Sequence, residues 1–408
     1  STAAGAAQYR SRMSTLASEL DIPEITIDDA ASFGDRMAMR SALPDDVWLV
    51  RNLIGYAVLR YEDAIGVLRD KRWHSASGRI PELMGITRQD FLSRQRGSIL
   101  SAEGDEHVRL RRLVAPAFNP RAADRLRPFM REVMNSLIDP VAAVGRADFV
   151  ADVTEPYPIP IICELLGAPR SDWQLFSRLA SDVLEIFSAD LLDKLDLVMA
   201  AQDELDAYSR ELIAARRSRP ADDLITDLIA MEEAGDKLST DELVMMVNAV
   251  IVGGTDTTRN QLGLAMQTFL AHPDQWRLLA QRPDLGGKAV EEVMRVNPTT
   301  RWVTREVIED LEYEGLLLRA GTTVHLYAES SGTDARVFEP GFDITAERKP
   351  HFGFGAGVHY CLGASLARLE LIEALAELSS RLPALRLDGT SPLAFLSLKR
   401  LGGSAAGE

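Results

Sequence analysis

A cysteine at a glycine-rich turn is the residue of this 408-residue sequence that is best suited to chemistry. Cys361 follows Gly353, Gly355 and Gly357, which lack a Cβ and let the backbone turn tightly and pass close to a flat ligand. A helical pattern begins directly afterwards, at Gly363. Because a helix N-terminus favours negative charge, the sequence predicts a thiolate, the form of cysteine that binds iron. The alternative is a free cysteine that packs as a small hydrophobic side chain.

A second group of reactive side chains interrupts a long apolar helix. Ser239 and Glu242 have the spacing of a capping box, and the helical pattern runs from there to Ala271. Midway lie residues 253–258, Gly-Gly-Thr-Asp-Thr-Thr, which are poor material for a buried helix. Residues that disfavour a helix, when they occur in the middle of a buried helix, indicate a functional site. The alternative is a kink in which threonine hydroxyls bond back to the preceding turn.

Two polar pairs have helical spacing. His107 and Arg111 are four residues apart and share one helix face, where two cationic or donor groups can grip two carboxylates. Glu292 and Arg295 are three apart on a later helix and have the spacing of an ion pair. Either pair alone is more often a surface feature than a site, so each depends on the rest of the chain for its meaning.

These features together resemble the cytochrome P-450 family. Residues 354–363 read F-G-x-G-x-H-x-C-x-G, the pattern of the family's haem-binding loop, and the resemblance continues along most of the chain. It implies that the Cys361 thiolate binds the iron of haem b. It also implies a mainly α fold with a small β region, in which the haem lies between the long central helix and the helix that follows the cysteine. The chain is similar to the soluble bacterial haem-thiolate monooxygenases of the family.

The resemblance assigns roles to the other candidate residues. Asp256 and Thr257 match the family's acid and alcohol pair, which manages protons on the central helix. Val303 and Phe395 are candidates to face the substrate. The residues implied to bind the haem are His107, Arg111, Arg301 and His359 at the propionates, Phe354, Gly355 and Gly363 in the loop, and Gly253 and Gly254, which leave room for oxygen.

The chain departs from the family at a structural motif. Glu292 and Arg295 match the family's E-x-x-R, a buried structural pair behind the haem. The usual third partner is an arginine or similar residue before a Phe-Asp motif, and Gly341 stands there in this chain. Arg336 and Arg348 are the candidates to replace it.

Composition excludes several classes of partner. The net charge of -16 argues against nucleic acid and anionic membranes, since both reward clustered lysine and arginine. No secretory signal is visible, and no apolar run approaches the ~20 residues of a membrane span. Cys163 and Cys361 are too few for a disulfide framework, so we expect a cytoplasmic protein, with Cys163 in a core helix. We expect a monomer.

Periodicity predicts the elements that position these residues. We expect one domain over residues 1–408, with 1–20 as a flexible tail, an irregular segment at 80–98 and amphipathic helices over 171–216. The family resemblance implies that the segment at 80–98 covers the substrate and that the helices over 171–216 form a lid. Phe395 falls in a predicted terminal strand pair at 392–401. The other predicted elements are hairpins at 47–59 and 316–324, the latter turning at Ala320-Gly321, and helices at 26–37, 61–70, 122–138, 150–167, 240–271 and 287–297.

The sequence therefore predicts a monooxygenase that inserts one oxygen atom of O2 into an apolar small molecule. Electrons are expected from NAD(P)H through a ferredoxin reductase and a ferredoxin. Natural-product tailoring is favoured, and catabolism of a terpenoid, steroid or fatty acid is the alternative. A peroxide-dependent haem enzyme is disfavoured because that branch of the family loses the acid and alcohol pair. A non-catalytic haem sensor stays open.

Overall fold

Helices dominate the structure, and a small β region lies beside them. The computed structural model describes residues 15–16, 22–24, 44, 47–52, 55–188, 190–233 and 238–387. The helices are α1 Tyr61–Arg69, α2 Ile80–Leu83, α3 Gln89–Arg96, α4 Gly104–Val114, α5 Pro120–Val144, α6 Pro158–Leu166, α7 Trp173–Leu184, α8 Leu191–Ser218, α9 Leu224–Glu233, α10 Thr240–Ala271, α11 Pro273–Gln281, α12 Gly286–Val296, α13 Ala328–Gly332 and α14 Ala364–Arg381. This is the mainly α architecture that the sequence predicts.

The strands form two sheets, one of three strands in the order β1-β7-β6 and one of five in the order β2-β3-β8-β5-β4. β2 and β3 form the predicted antiparallel hairpin. Part of the predicted tail is β1, which pairs in parallel with β7. The strands are β1 Thr15–Leu16, β2 Leu49–Asn52, β3 Gly55–Val58, β4 Trp73–Ser75, β5 Trp302–Val307, β6 Leu311–Tyr313, β7 Leu316–Leu318 and β8 Thr323–Tyr327.

The hairpin predicted at 316–324 is wrong. β7 pairs with β6 instead, and the turn between them lies at Glu314 and Gly315, whose φ angles are 49° and 79°. Positive φ at both central residues is the geometry that matches the twist of a tight hairpin. A turn does exist at Gly321, where φ is 85°, but it leads into β8, which pairs with β3 and β5.

The central helix α10 follows its sequence signals closely. The Ser239 hydroxyl accepts from the Glu242 backbone N–H at 3.2 Å, and the Glu242 carboxylate accepts from the Ser239 N–H at 2.7 Å. This reciprocal capping box sets the start of α10, as predicted. Leu243, Ile251 and Phe269 bury α10 in the largest hydrophobic core, which it shares with α5, α6, α12 and α14. The site is thereby built on a rigid helix.

A smaller core attaches the segment 80–98 to α8. Phe91 and Leu92 of α3 are buried against Leu191 and Val198 of α8. The segment was expected to be irregular and instead forms α2 and α3, because this tertiary packing supplies what its weak periodicity lacks. The lid helices and the covering segment are therefore packed together.

Several sequence predictions fall outside the described residues. They are the helix at 26–37, the strand pair at 392–401 with its candidate Phe395, and the tail apart from the residues that form β1. Among the helices that the structure describes, none combines the length and the apolar character needed to cross a bilayer.

Candidate active site

The cysteine loop is shaped by a backbone hydrogen bond and by two glycines with positive φ. The Cys361 N–H donates to the Phe354 carbonyl at 2.8 Å. Gly355 and Gly357 both have φ of 69°, a region that other residues rarely adopt. A Cβ at Gly357 would also overlap the carbonyl oxygen of Leu68. The loop can therefore take this path only with glycine at these positions, and it delivers Cys361 just before α14, whose N-cap is Gly363.

The Cys361 thiol lies at a concave surface. Solvent reaches the side chain, yet protein surrounds the sulfur closely enough that burial raises the pKa of Cys361. The Gly363 backbone N–H and the guanidinium groups of Arg111 and Arg368 act in the opposite direction. The helix terminus therefore favours the thiolate as expected, but burial is the larger effect in the protein without a metal. A bound metal ion removes the proton of a coordinating thiol by its own charge.

A partly exposed ion pair lies beside the loop. Arg368 of α14 lies over the Phe354 ring, 4.4 Å from its centroid, and donates to Glu291 at 2.6 Å and to the Tyr360 hydroxyl at 2.7 Å. The Glu291 carboxylate also faces His351, and these partners lower its pKa to about 2 despite burial. The guanidinium of α14 thus packs on one face of the Phe354 ring.

The structure brings together His107 and His359, two of the predicted propionate ligands. Their rings lie 4.2 Å apart between centroids. His359 Nε2 is 2.8 Å from a carboxylate oxygen of Glu103, which also accepts from the Ser75 N–H at 2.5 Å. Burial, His359 and Arg111 together lower the pKa of His107 to about 4. His107 is therefore a neutral hydrogen-bond donor or acceptor near pH 7, and the Arg111 guanidinium brings positive charge to the same cluster.

Two arginines beside this cluster have no carboxylate partner in the described chain. Arg111 is half-buried, and burial lowers its pKa while the Cys361 thiolate opposes that shift. Arg305 on β5 is buried, donates to the Thr304 carbonyl at 3.0 Å, and has a pKa lowered by burial against the influence of Glu103. Desolvated guanidinium groups are costly without an anion. Both arginines therefore point to a missing anionic group.

Sequence reasoning missed Arg305 and selected Arg301 instead. Arg301 precedes β5, and its backbone carbonyl accepts from the Ala328 N–H at 2.8 Å. Arg305 lies within β5, whereas position 301 is outside it. The sequence did indicate Arg305, because a charged residue is unusual inside a strand rich in β-branched residues and such exceptions often mark functional sites. The propionate role of Arg301 stays a prediction.

One glycine of the α10 motif faces open space and the other does not. Thr257 Oγ1 donates to the Gly253 carbonyl at 2.7 Å, and a Cβ added at Gly253 would meet nothing within 4 Å. A Cβ at Gly254 would overlap Cδ1 of Ile162 on α6. The prediction that both glycines leave room for oxygen therefore fits Gly253 only, because neighbouring helix residues point about 100° apart. The back-bonded threonine keeps its lone pairs for a further donor.

Asp256 is a buried carboxyl with one cationic partner in contact. It pairs with Arg259, one turn later on α10. Burial raises the pKa of Asp256 to about 6, Arg259 opposes the shift, and the carboxylates of Glu155 and Glu185 add to it. A carboxyl with a pKa near the operating pH can both hold and release a proton, as a general acid must.

The E-x-x-R pair is buried and complete. Arg295 donates to both carboxylate oxygens of Glu292, at 2.8 and 2.7 Å. It also donates to the backbone carbonyls of Gly332 at 2.6 Å and Gly341 at 2.7 Å. Arg348 lies 3.4 Å from Glu292 and is the third partner that the sequence left open. The other candidate, at position 336, pairs with Asp334 instead.

The substrate-facing candidates receive no test. Val303 is half-buried on β5, opposite Leu326 of β8, and packs against the core of the β region. Phe395 lies outside the described residues. Cys163 is buried on α6 as predicted, and burial raises its pKa to about 12, so it is an inert core thiol.

Comparison with known proteins settles the family. The family model for cytochrome P-450 matches residues 57–382, a range that includes every residue of the site from Glu103 to Arg368. The chain belongs to the cytochrome P-450 family. It is therefore an oxidoreductase of the P-450 monooxygenase type, and the family implies a haem cofactor.

Three relatives illustrate the likeness. Luteothin monooxygenase of Streptomyces thioluteus is 36% identical over 349 residues, covering 84% of this chain and 85% of the relative. Steroid C26-monooxygenase of Mycobacterium tuberculosis is 33% identical over 343 residues, covering 80% and 92%. A solved P-450, BioI in complex with hexadec-9Z-enoic acid ligated acyl carrier protein, has a TM-score of 0.81 at 29% identity and covers 87% of this chain and 93% of that chain.

The residues of this P-450 fit a haem group. Haem carries two propionates, and the unpaired guanidinium groups of Arg111 and Arg305 supply two cations that lack anions in the described chain. The Cys361 thiol is open to solvent at a concave surface, and positions Gly253 and Gly363 have free space where a Cβ would stand. A flat dianionic ligand with a metal centre satisfies all of these demands.

Proposed function

We propose that this P-450 inserts one oxygen atom of O2 into an apolar small molecule, with natural-product tailoring as its setting. The observation that carries the proposal is the buried Asp256 next to Thr257, whose hydroxyl bonds to Gly253 where α10 faces open space. The pair offers a titratable carboxyl and a hydroxyl at the point where the Gly253 position leaves space. A haem protein that only stores or senses its cofactor has no need of such a proton donor.

The haem would be held by residues of three segments. Cys361 would bind the iron, and Phe354, Gly355 and Gly363 would border the ring. Arg111 and Arg305 would neutralise the propionates and His107 and His359 would form hydrogen bonds to them, with Arg301 as the candidate named from the sequence. When bound, haem supplies the activation of dioxygen and the oxidation of the substrate.

The residues of α10 would manage protons. Asp256 can take up and release a proton near neutral pH because burial raises its pKa to about 6. Thr257 donates to the Gly253 carbonyl, so its lone pairs face outward and can accept a hydrogen bond from water or substrate. The apolar surroundings of α10 exclude other water, which limits proton leakage.

Electrons would come from NAD(P)H through a ferredoxin reductase and a ferredoxin. Negative charge dominates the chain as a whole, so an acidic donor would need a local basic patch. Two free cysteines are consistent with a reducing cytoplasm, the location we propose.

The relatives support two substrate settings. Bacterial P-450 monooxygenases of natural-product tailoring and of steroid hydroxylation are both similar to this chain. The luteothin monooxygenase match favours the first, and the steroid C26-monooxygenase match makes steroid hydroxylation the second candidate.

Spectroscopy and turnover test the proposal. The reduced, carbon monoxide-bound holoenzyme should show the red-shifted thiolate band, and Cys361→Ser should lose it. With a ferredoxin system, screened apolar compounds that shift the iron spin state should be oxidised. Thr257→Ala and Asp256→Asn should divert at least about tenfold more electrons to peroxide, since general acid catalysis contributes ~10²–10⁴-fold. Unchanged coupling in both variants would refute the proton role.

A further inference from the structure

Arg259 is a buried arginine of α10 with partners on another helix. Its side chain is 4% exposed and pairs with Asp256, which is 3% exposed. Nη1 donates to the Ser177 hydroxyl at 3.2 Å, and Nη2 donates to the Ser181 hydroxyl at 2.8 Å. Both serines belong to α7. One guanidinium therefore joins the carboxyl of α10 to two hydroxyl groups of α7.

The serine hydroxyls have a fixed orientation. Ser177 Oγ donates to Oε1 of Glu155 at 3.1 Å, and Ser181 Oγ donates to the Ser177 carbonyl at 2.8 Å. Each hydroxyl has one proton, so its lone pairs remain for Arg259. Glu155 itself lies 3.8 Å from Arg259 Nη1. The Arg259 guanidinium thus lies near the carboxylates of both Asp256 and Glu155. Its hydrogen bonds to Ser177 and Ser181 fix its position between them.

We propose that Arg259 is a positioning residue that ties the state of the Asp256 carboxyl to the position of α7. The proposal rests on the proton role proposed for Asp256 and adds what controls it. If α7 moves away from α10, Arg259 loses both serine acceptors and Glu155 loses its serine donor. Glu155 then competes for the guanidinium, and Asp256 loses its cation in a buried place.

Few charged groups can mask this effect. The groups that act on Asp256 in the described chain are Arg259 on its own helix, Glu155 before α6 and Glu185 after α7. Glu185 is already paired with Lys194 of α8 at 2.8 Å. Both carboxylates oppose ionisation of Asp256, whereas Arg259 favours it. The position of the Arg259 guanidinium therefore determines whether Asp256 is ionised.

Infrared titration of the holoenzyme reads this charge directly. The C=O stretching band of protonated Asp256 is the one that Asp256→Asn removes, and its midpoint should lie near pH 6 in the wild type. Arg259→Gln should raise the midpoint by about one unit or more, because an opposite charge at contact shifts a carboxyl by ~1–3 units. Ser177→Ala/Ser181→Ala should raise it less, and Arg259→Lys should restore it in part.

Hydrogen exchange tests the link in the other direction. If Asp256 and α7 are coupled, ionising the carboxyl must change the protection of α7 by the same free energy. Protection of amides 173–184 should depend on pH in the wild type and lose that dependence in Ser177→Ala/Ser181→Ala and in Asp256→Asn. Ser218→Ala is the matched control, since its hydroxyl bonds only to carbonyls of its own helix.

The outcomes separate the two proposals. A midpoint and a protection pattern in Ser177→Ala/Ser181→Ala equal to those of the wild type would overturn the link. If Asp256→Asn leaves electron coupling unchanged, the proton role fails instead, whatever the titration shows. Should Arg259→Gln fold poorly because it strands a buried charge, Asp256→Asn/Arg259→Gln removes both charges and should fold. The serine variant then decides alone.

Discussion

Thr258 on α10 donates a hydrogen bond to Oε2 of Glu370 on α14, 3.2 Å away, and both side chains are buried. The contact joins the central helix to the helix that begins at the cysteine loop. The Tyr157 hydroxyl donates to the Glu370 backbone carbonyl at 2.9 Å, whereas Glu370 Oε1 has no partner in the described chain. Burial raises the pKa of Glu370 to about 8 against the Thr258 hydrogen bond, so a neutral carboxyl links the two helices at pH 7.

Glu370→Gln should flatten the pH dependence of stability. Because the pKa of Glu370 in the folded protein is raised from 4.5 to about 8, its contribution is fully present below about pH 4.5 and is lost as the pH rises through about 8. Each unit of difference corresponds to ~1.4 kcal/mol. Thermal unfolding of the holoenzyme across this window measures the effect. Glu377→Gln, on the same helix, is the control, and parallel curves for wild type and Glu370→Gln would contradict the assignment.

Arg305→Ala should release haem faster than Arg301→Ala does. A hydrogen bond to a charged group contributes ~1.5–3 kcal/mol, which corresponds to about tenfold or more in the rate of haem loss. Transfer of haem to excess apomyoglobin measures that rate.

The apoprotein provides the second half of this test. Arg305 is a buried cation without a carboxylate partner in the described chain, so Arg305→Ala should not destabilise the haem-free protein. An arginine with a purely structural role would lower the stability of both forms. Faster haem loss from Arg301→Ala than from Arg305→Ala would restore the assignment made from the sequence.

Local signals predicted the parts of the fold that local chemistry determines. The bounds of α10 follow from the capping box at Ser239 and Glu242 and from Pro273 beyond its end. The tight turn of the cysteine loop could also be predicted, because the positive φ at Gly355 and Gly357 favours glycine at both positions. These features need no knowledge of distant residues.

Tertiary contacts decided what the sequence could not. Two turn signals, at Gly315 and Gly321, lie six residues apart, and only the pairing of β8 with β3 and β5 shows which one closes a hairpin. Burial of Arg305 near Glu103 depends on residues about 200 positions apart in sequence, so the sequence could not distinguish Arg305 from Arg301. The choice of Arg348 as third partner of the E-x-x-R pair has the same origin.

Gly332→Ala should weaken the haem support, although it lies far from the cysteine in sequence. A Cβ at Gly332 would overlap the carbonyl oxygen of Arg295, whose guanidinium in turn donates to the Gly332 carbonyl. Overpacking of this kind costs ~1–3 kcal/mol. Gly263→Ala is the control within α10, where a Cβ meets nothing within 4 Å and stability should rise by up to ~1 kcal/mol. Melting temperature and haem content of both variants measure the difference, and equal values would refute it.

Arg94→Ala should loosen the segment that covers the site. Arg94 of α3 pairs with Asp203 of α8 at 2.7 Å and with Asp206, and it is less exposed than Arg88, whose partner Asp196 is almost fully exposed. Exposed ion pairs contribute ~0.2–1 kcal/mol, so global stability should hardly change. Local opening should change, because the small core of Phe91 and its neighbours and the exposed Arg88–Asp196 pair would be left to hold α3 against α8. Faster hydrogen exchange at amides 89–96 in Arg94→Ala, and not in Arg88→Ala, is the expected result.

Salt near 1 M, where the screening length falls to about 3 Å, should cause the same faster exchange in the wild type. If neither the substitution nor the salt changes the exchange rate, apolar packing alone holds this segment against α8.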